Sequence, residues 1–208
     1  MKLEKYKTYL QNRYITFKLA KELFDLNEGK TILELGTTRS FVDGSHIGCM
    51  KDDPQYWFPN NPELWDWGAG AFTIVFSEIY KDMDVKITTV DIMSSHIQRC
   101  RIMTAQNSNV EYVVDSSISY LNSLPKESVD FLYQDTCDCD DNGAKHHLEE
   151  AKILVEKNII KSKGILLIDD HKTTTPELVS KTKYSLDFYL QNGFTVIEEN
   201  QQLLLQKL

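Results

Sequence analysis

TILELG (31–36) is a short apolar run broken by one acid and closed by a glycine. That pattern reads as a buried strand ending in a turn. Four runs of the same kind follow: KITTVDI (86–92), VEYVVD (110–115), VDFLYQD (129–135) and GILLIDD (164–170). The spacing of apolar residues predicts helices between and after them, over 70–81, 94–107, 118–124, 144–160 and 176–192. A further helix is predicted over 3–26, where Tyr6, Leu10, Tyr14, Phe17, Leu23 and Phe24 have helical spacing and Gly29 follows as a stop. The chain ends in FTVIEEN (194–200) and QLLLQKL (202–208), too close together to be parallel neighbours, so they form an antiparallel hairpin. Strand–helix alternation of this kind implies an α/β, Rossmann-like, doubly wound sheet. The expected sheet has seven strands, mostly parallel, with helices on both faces and the hairpin at its C-terminal end. A single domain over residues 1–208 is expected, because 208 residues suit one sizeable core and no linker interrupts them.

Composition narrows the function. Hydrophobic residues make up 41% and charged residues 26%, as in ordinary globular proteins. The formal net charge of −8 argues against a nucleic-acid partner, whose phosphates need clustered positive charge. No apolar run approaches the roughly 20 residues that span a bilayer, and the first residues, MKLEKYKTYLQNRY, lack the apolar core of a signal peptide. Four cysteines do not form a secreted disulfide framework in a chain of this length. The expectation is a cytoplasmic protein with no membrane partner.

In an open parallel sheet, ligands bind beyond the carboxyl ends of the strands. Here those ends carry Glu34 and Gly36, Asp91, Asp115, Asp135, and Asp169 with Asp170. A dinucleotide cradle needs G-x-G-x-x-G opening a helix, whereas the first strand is followed by GTTRSF (36–41) with one glycine. No phosphate-binding G-x-x-x-x-G-K-[ST] occurs. S-adenosylmethionine fits better, since its sulfonium and ammonium are cationic and its ribose offers two hydroxyls to acids.

The same residues resemble the class I S-adenosylmethionine-dependent methyltransferases, from Thr31 to the C-terminus. ILELGT (32–37) is similar to the family's first motif, TTVDI (88–92) to its second and VVDSS (113–117) to the segment flanking adenine. VDFLYQD and KGILLIDDH (163–171) are similar to its fourth and fifth strands. Thr38 departs from the family, standing where a second glycine is usual. The resemblance implies that Gly36 and Thr37, with Glu34 behind them, shape the methionine end of the cofactor site. It implies Asp91 on the ribose and Asp115 with Ser116 beside adenine. Thr38, Gly68 (in the element Asp66-Trp67-Gly68), Ile92 and Asp135 complete the expected cofactor contacts.

Asp135, Asp169 and Asp170 end adjacent strands, so their carboxylates can converge. Three oxygen donors suit Mg²⁺ or another divalent cation. The likeness here is to catechol-type, metal-dependent O-methyltransferases, in which such an ion holds the acceptor's hydroxyls. Without a metal the three acids repel, one pKa rises, and Asp135 becomes a candidate general base. His171, beside the pair, is a second candidate for taking the acceptor's proton, or a loop histidine.

Residues 37–68 form a long loop rich in aromatics, among them Phe41, Tyr56, Trp57, Phe58, Trp65 and Trp67. Its roles are to cover the acceptor or to form a satellite core, and Arg39 and His46 are candidate contacts to an acidic acceptor. Cys137, Cys139, His146 and His147 cluster, though not at a zinc-finger spacing. The adjacent histidines would point to different faces of a helix. The N-terminal helix is a candidate lid or homodimer contact, and the lysines read as a solvated face. The function expected is methyl transfer to the oxygen of a small hydroxylated acceptor. An amine or peptide acceptor, and a non-catalytic nucleotide-binding protein, are the alternatives.

Overall fold

The computed structural model describes residues 2–38, 57–58, 60–65, 68, 70–173 and 175–208. Arg39, Phe41, His46, Tyr56, Asp66 and Trp67 lie outside the described residues. Seven strands form one sheet in the order β3-β2-β1-β4-β5-β7-β6. They are β1 (Thr31–Leu35), β2 (Lys86–Asp91), β3 (Val110–Val114), β4 (Val129–Gln134), β5 (Ile160–Ile168), β6 (Phe194–Glu199) and β7 (Leu203–Lys207). The first five pair in parallel, and β7 runs antiparallel to both β5 and β6. The seven-stranded mixed sheet and its closing hairpin are as expected. Chain order reverses between β1 and β4, which creates a crevice beyond their carboxyl ends.

The sheet's two faces are read from alternation along the strands. Ile32, Phe131, Tyr133, Ile165, Leu167 and Leu204 face one core, under α2 (Tyr14–Leu26) and α3 (Phe72–Tyr80). Leu33, Leu35, Leu132, Leu166, Ile168, Leu203 and Leu205 face the other. That second core is covered by α5 (Ser117–Ser123), α6 (Asp141–Glu156) and α7 (Leu186–Gln191). The first core is an aromatic pile. Phe72 stacks on Tyr133 at 4.3 Å between centroids, and Phe17 and Phe131 meet Phe72 edge-on. Trp57 and Trp65 are buried in that core, Trp65 against Tyr6 and Tyr9. These loop aromatics therefore serve packing.

Two elements differ from the sequence reading. The helix expected over 3–26 is broken into 3₁₀ turns at Lys2–Tyr6 and Gln11–Arg13, a short α1 (Lys7–Leu10), and α2. Gln11, at φ 49°, lies in the left-handed region and turns the chain. Leu3, Tyr6, Tyr9 and Leu10 are buried in the first core. The helix expected over 176–192 shrinks to α7. Upstream of it, backbone donors are spent on neighbouring loops: Val179 N–H donates to the Cys139 carbonyl and Lys181 N–H to that of Asp170. Elsewhere the limits move by a few residues, as between the expected 94–107 and the observed α4 (Ser94–Met103).

Glu34 points into the first core from the central strand and is fully buried. Its Oε2 accepts from the Thr73 and Thr89 hydroxyls at 2.7 and 2.5 Å, while Oε1 has no hydrogen-bond partner. Burial pushes its carboxyl up to about 7, against the smaller opposing effect of those hydroxyls. The folded state therefore keeps this proton to about pH 7, and the unfolded chain releases it near 4.5. Across that window the unfolded state binds fewer protons, so stability falls as pH rises. Glu34→Gln keeps the acceptor oxygen and removes the titration. In urea unfolding, the variant's stability relative to the natural protein should grow by about 2–3 kcal/mol between pH 4.5 and 8. A constant difference would contradict the buried neutral carboxyl.

Candidate functional site

A cavity of about 530 Å³ opens beyond the carboxyl ends of β1, β2, β4 and β5. Its floor is backbone. Gly36 has φ 81°, and a Cβ there would lie 2.3 Å from the Asp135 carbonyl oxygen. No other residue fits, on both conformational and steric grounds. Gly70 lines the same cavity at φ 68°, where a Cβ would meet the Thr37 carbonyl at 3.1 Å.

The β2 end supplies Asp91. Its Oδ2 accepts from Thr37 N–H at 3.0 Å and contacts His96 Nδ1 at 3.1 Å, and its Oδ1 accepts from Met93 N–H at 2.7 Å. Burial alone would raise this carboxyl, but the hydrogen bonds outweigh it and hold Asp91 ionised below the usual range. Beside it, Ile92 and Met93 line the cavity with 69% and 51% of their surface exposed. Large apolar side chains left bare at a cavity mouth are available to stack on a flat ligand. Across from them Ser116 caps α5, accepting from Ser119 N–H, and lines the cavity.

The β4 and β5 ends supply the acids. Oxygens of Asp135, Asp169 and Asp170 lie within 4.8 Å of one another, so the expected convergence is present. Asp169 is 1% exposed and fully engaged. Arg13 Nε and Gln202 Nε2 donate to its Oδ1, and Arg13 Nη2 and the Tyr133 hydroxyl to its Oδ2. The Lys181 ammonium, 3% exposed, lies 2.6 Å from Asp135 Oδ1 and 3.1 Å from Asp170 Oδ2. Burial pushes Asp135 up to about 6, although Lys181 opposes this. Asp170 is held below its ordinary value, because Lys181 and Arg13 outweigh its burial. Lys181 itself is kept charged by Asp135 and Asp170 despite burial.

This donor set does not fit a divalent ion as it stands. The four lone-pair positions of Asp169 are taken, and a charged ammonium already bridges the other two carboxylates. A divalent ion would need to displace Lys181 or sit beside two cations at low dielectric. S-adenosylmethionine does fit. The cavity has a glycine-floored cradle, an ionised acid placed for ribose hydroxyls, exposed apolar side chains for a purine, and net negative charge for a sulfonium.

Most expected site residues line the cavity: Gly36, Thr37, Gly68, Asp91, Ile92, Ser116, Asp135, Asp169 and Asp170. Glu34 stays behind the floor. Thr38 is buried beneath it, donating to the Gly70 carbonyl at 3.0 Å, and Asp115 turns to Ser116 N–H at 2.8 Å. His171 is not brought to the cavity. Its ring nitrogens face Thr182 at 2.5 Å and Glu199 at 3.1 Å, because its backbone N–H pairs with Gln201 at the hairpin. The two helix histidines do point apart. His146 lines the cavity between Ser117 and Glu150, and His147 is buried on Thr136. Among the described residues the three aspartates are the one cluster with metal-ligand spacing, so Cys137 and Cys139 join no zinc group. Arg13, Lys181, His96, Met93 and Gly70 were not legible as site residues. Lys181, buried among the acids, departs from the reading of the lysines as a solvated face, which Lys7, Lys30 and Lys145 keep. Only Arg13, a cation in an otherwise apolar helical pattern, carried a signal.

No protein-family model and no curated protein sequence matches the chain. Solved structures do. NodS, an N-methyltransferase from Bradyrhizobium japonicum WM9 in complex with S-adenosyl-L-homocysteine, aligns over 95% of this chain and 90% of its own at 11% identity, with a TM-score of 0.52. A protein of Corynebacterium glutamicum aligns over 91% and 80% at 12% identity, TM-score 0.55. Monomeric WbdD aligns over 93% of this chain at 11% identity, TM-score 0.54, but this chain spans only 40% of it. At these identities the likeness is one of fold.

Removing Arg13 leaves a buried carboxylate without its counter-charge. Arg13→Met should cost about 3–5 kcal/mol in urea unfolding. Adding Asp169→Asn should recover most of that loss, since the uncompensated charge goes with it. Equal instability of the single and double variants would assign the loss to packing instead.

Proposed function

We propose that this chain is an S-adenosylmethionine-dependent methyltransferase acting on the oxygen of a small hydroxylated acceptor. The observation that carries the reading is the order of groups along successive strand ends: the Gly36 cradle, Asp91 followed by bare Ile92 and Met93, then Ser116. The fold likeness to a methyltransferase solved with S-adenosyl-L-homocysteine supports it.

Bound S-adenosylmethionine would supply a methyl group activated on a sulfonium, and the chain would do the rest by orientation and proton removal. The backbone at Gly36 and Thr37 would hold the amino-acid end. Asp91, fixed by three protein donors, would accept from ribose hydroxyls. Ile92, Met93 and Ser116 would enclose the adenine. Asp135 would take the acceptor's proton. Its Oδ1 is tied to Lys181, while Oδ2 accepts no hydrogen bond among the described residues, and the residue lines the cavity. Its raised pKa makes it a stronger base than a solvated aspartate and leaves it ionised above pH 6. An amine acceptor would use the same cofactor half and differ only at Asp135.

Calorimetric titration with S-adenosylhomocysteine tests the cofactor half. The natural protein should bind at micromolar Kd and Asp91→Ala at least about tenfold more weakly, a loss of 1.4 kcal/mol or more. No binding by the natural protein would refute the reading. The acceptor half is tested by Asp135→Asn. It should leave S-adenosylhomocysteine affinity in the same range while slowing methyl transfer to a panel of phenols and alcohols by about 10²–10⁴. Transfer confined to amines would instead favour nitrogen as the acceptor atom.

A further inference from the structure

The cluster at the β4 and β5 ends has the spacing of a divalent-cation site and the contents of a different one. Three carboxylates converge within 4.8 Å, and the position among them is held by the chain's own ammonium. Lys181 does not reach in from a loose surface loop. Its backbone N–H is bonded to the Asp170 carbonyl at 3.2 Å, and Val179, two residues earlier, to the Cys139 carbonyl at 2.9 Å. Both anchors belong to the loops that carry the acids, so the backbone bearing Lys181 is ordered by those loops and only the side chain's rotamer freedom remains to be lost. Asp170 sits at φ 50°, a left-handed turn that aspartate tolerates, and its carbonyl and carboxylate both meet Lys181.

Charge points the same way. Asp135, Asp169 and Asp170 face Arg13 and Lys181, which leaves one net negative charge. That remainder suits an incoming sulfonium. A divalent ion would reverse it and would stand a few ångströms from two fixed cations. An ammonium also has three protons. Two are directed at Asp135 and Asp170, and the third has no partner among the described residues, on a side chain that lines the cavity.

We propose that the Lys181 ammonium is the resident cation of this cluster, standing where a divalent ion would bridge the carboxylates, and that its remaining N–H receives the acceptor oxygen. The first half stands on geometry alone. The second rests on the methyl-transfer reading above. Asp135 would then take the acceptor's O–H proton, while the Lys181 ammonium, 2.6 Å from that carboxylate, donates to the acceptor oxygen and steadies the negative charge developing on it.

Mn²⁺ titration followed by electron paramagnetic resonance tests the first half and needs neither cofactor nor turnover. The natural protein should show no saturable binding up to about 1 mM, whereas Lys181→Met should bind Mn²⁺ at least about tenfold more tightly. That gained site should vanish in Lys181→Met/Asp170→Asn. Saturable submillimolar binding by the natural protein, abolished by Asp170→Asn, would overturn the proposal. So would a folded Lys181→Met that gains no ion. Should Lys181→Met fail to fold, Lys181→Gln carries the same comparison, and the titration of the natural protein decides in any case. Failure of the methyltransferase reading has a separate signature, the absence of S-adenosylhomocysteine binding, which leaves the Mn²⁺ outcome unchanged.

Discussion

Asp169 is buried at the end of a central strand, and a buried carboxylate needs a counter-charge. The chain supplies it from 156 residues away, in Arg13. The pair ties the N-terminal segment to the mouth of the sheet, and that segment brings Tyr6 and Tyr9 against Trp65. Tyr133 and Gln202 donate to the same carboxylate, and Gln202 also accepts from Thr16 of α2. One charged group thus joins the N-terminal segment, β4, β5 and the final hairpin at the wall of the cavity.

The two halves of that cavity are built on different principles. The half around Gly36 and Asp91 is backbone and strand ends: glycines that let chains pass closely, and an aspartate held by main-chain donors. Such a site follows from the sheet itself. The half around Asp135 is side chains in balance, three acids against two cations, and each charge is legible only with its partners. Asp135 and Asp170 share Lys181, yet their carboxyls move in opposite directions, up for the more deeply buried and down for the other. A base and an ionised neighbour therefore arise from one residue type, burial prevailing at Asp135 and the charges of Lys181 and Arg13 at Asp170.

Local pattern and topology carry much of the fold. Five strands with acidic or glycine ends, alternating with helical spacing, lead to a doubly wound sheet, and two abutting strands lead to a hairpin. Strand-end acids lead to the cavity because ligands bind there in such sheets. The departures have one cause. Helical spacing at 3–26 and 176–192 is real, but contacts made on folding override it: the first segment turns at Gln11 and packs its aromatics into the core, and the second gives backbone donors to the carbonyls of Cys139 and Asp170. His171 shows the same limit, adjacent in sequence to Asp170 and turned away by a hydrogen bond to the hairpin.

The sequence by itself determined the architecture, the crevice and the acids that line it, because period, strand ends and turn residues act over short distances. Only the tertiary structure decided what those acids do. Arg13 lies 156 residues from Asp169 and Lys181 lies 46 from Asp135, and nothing in local pattern sets which cation meets which carboxylate. Electrostatics in a buried site depends on distance and solvent exclusion, and both exist only once the chain has closed around it.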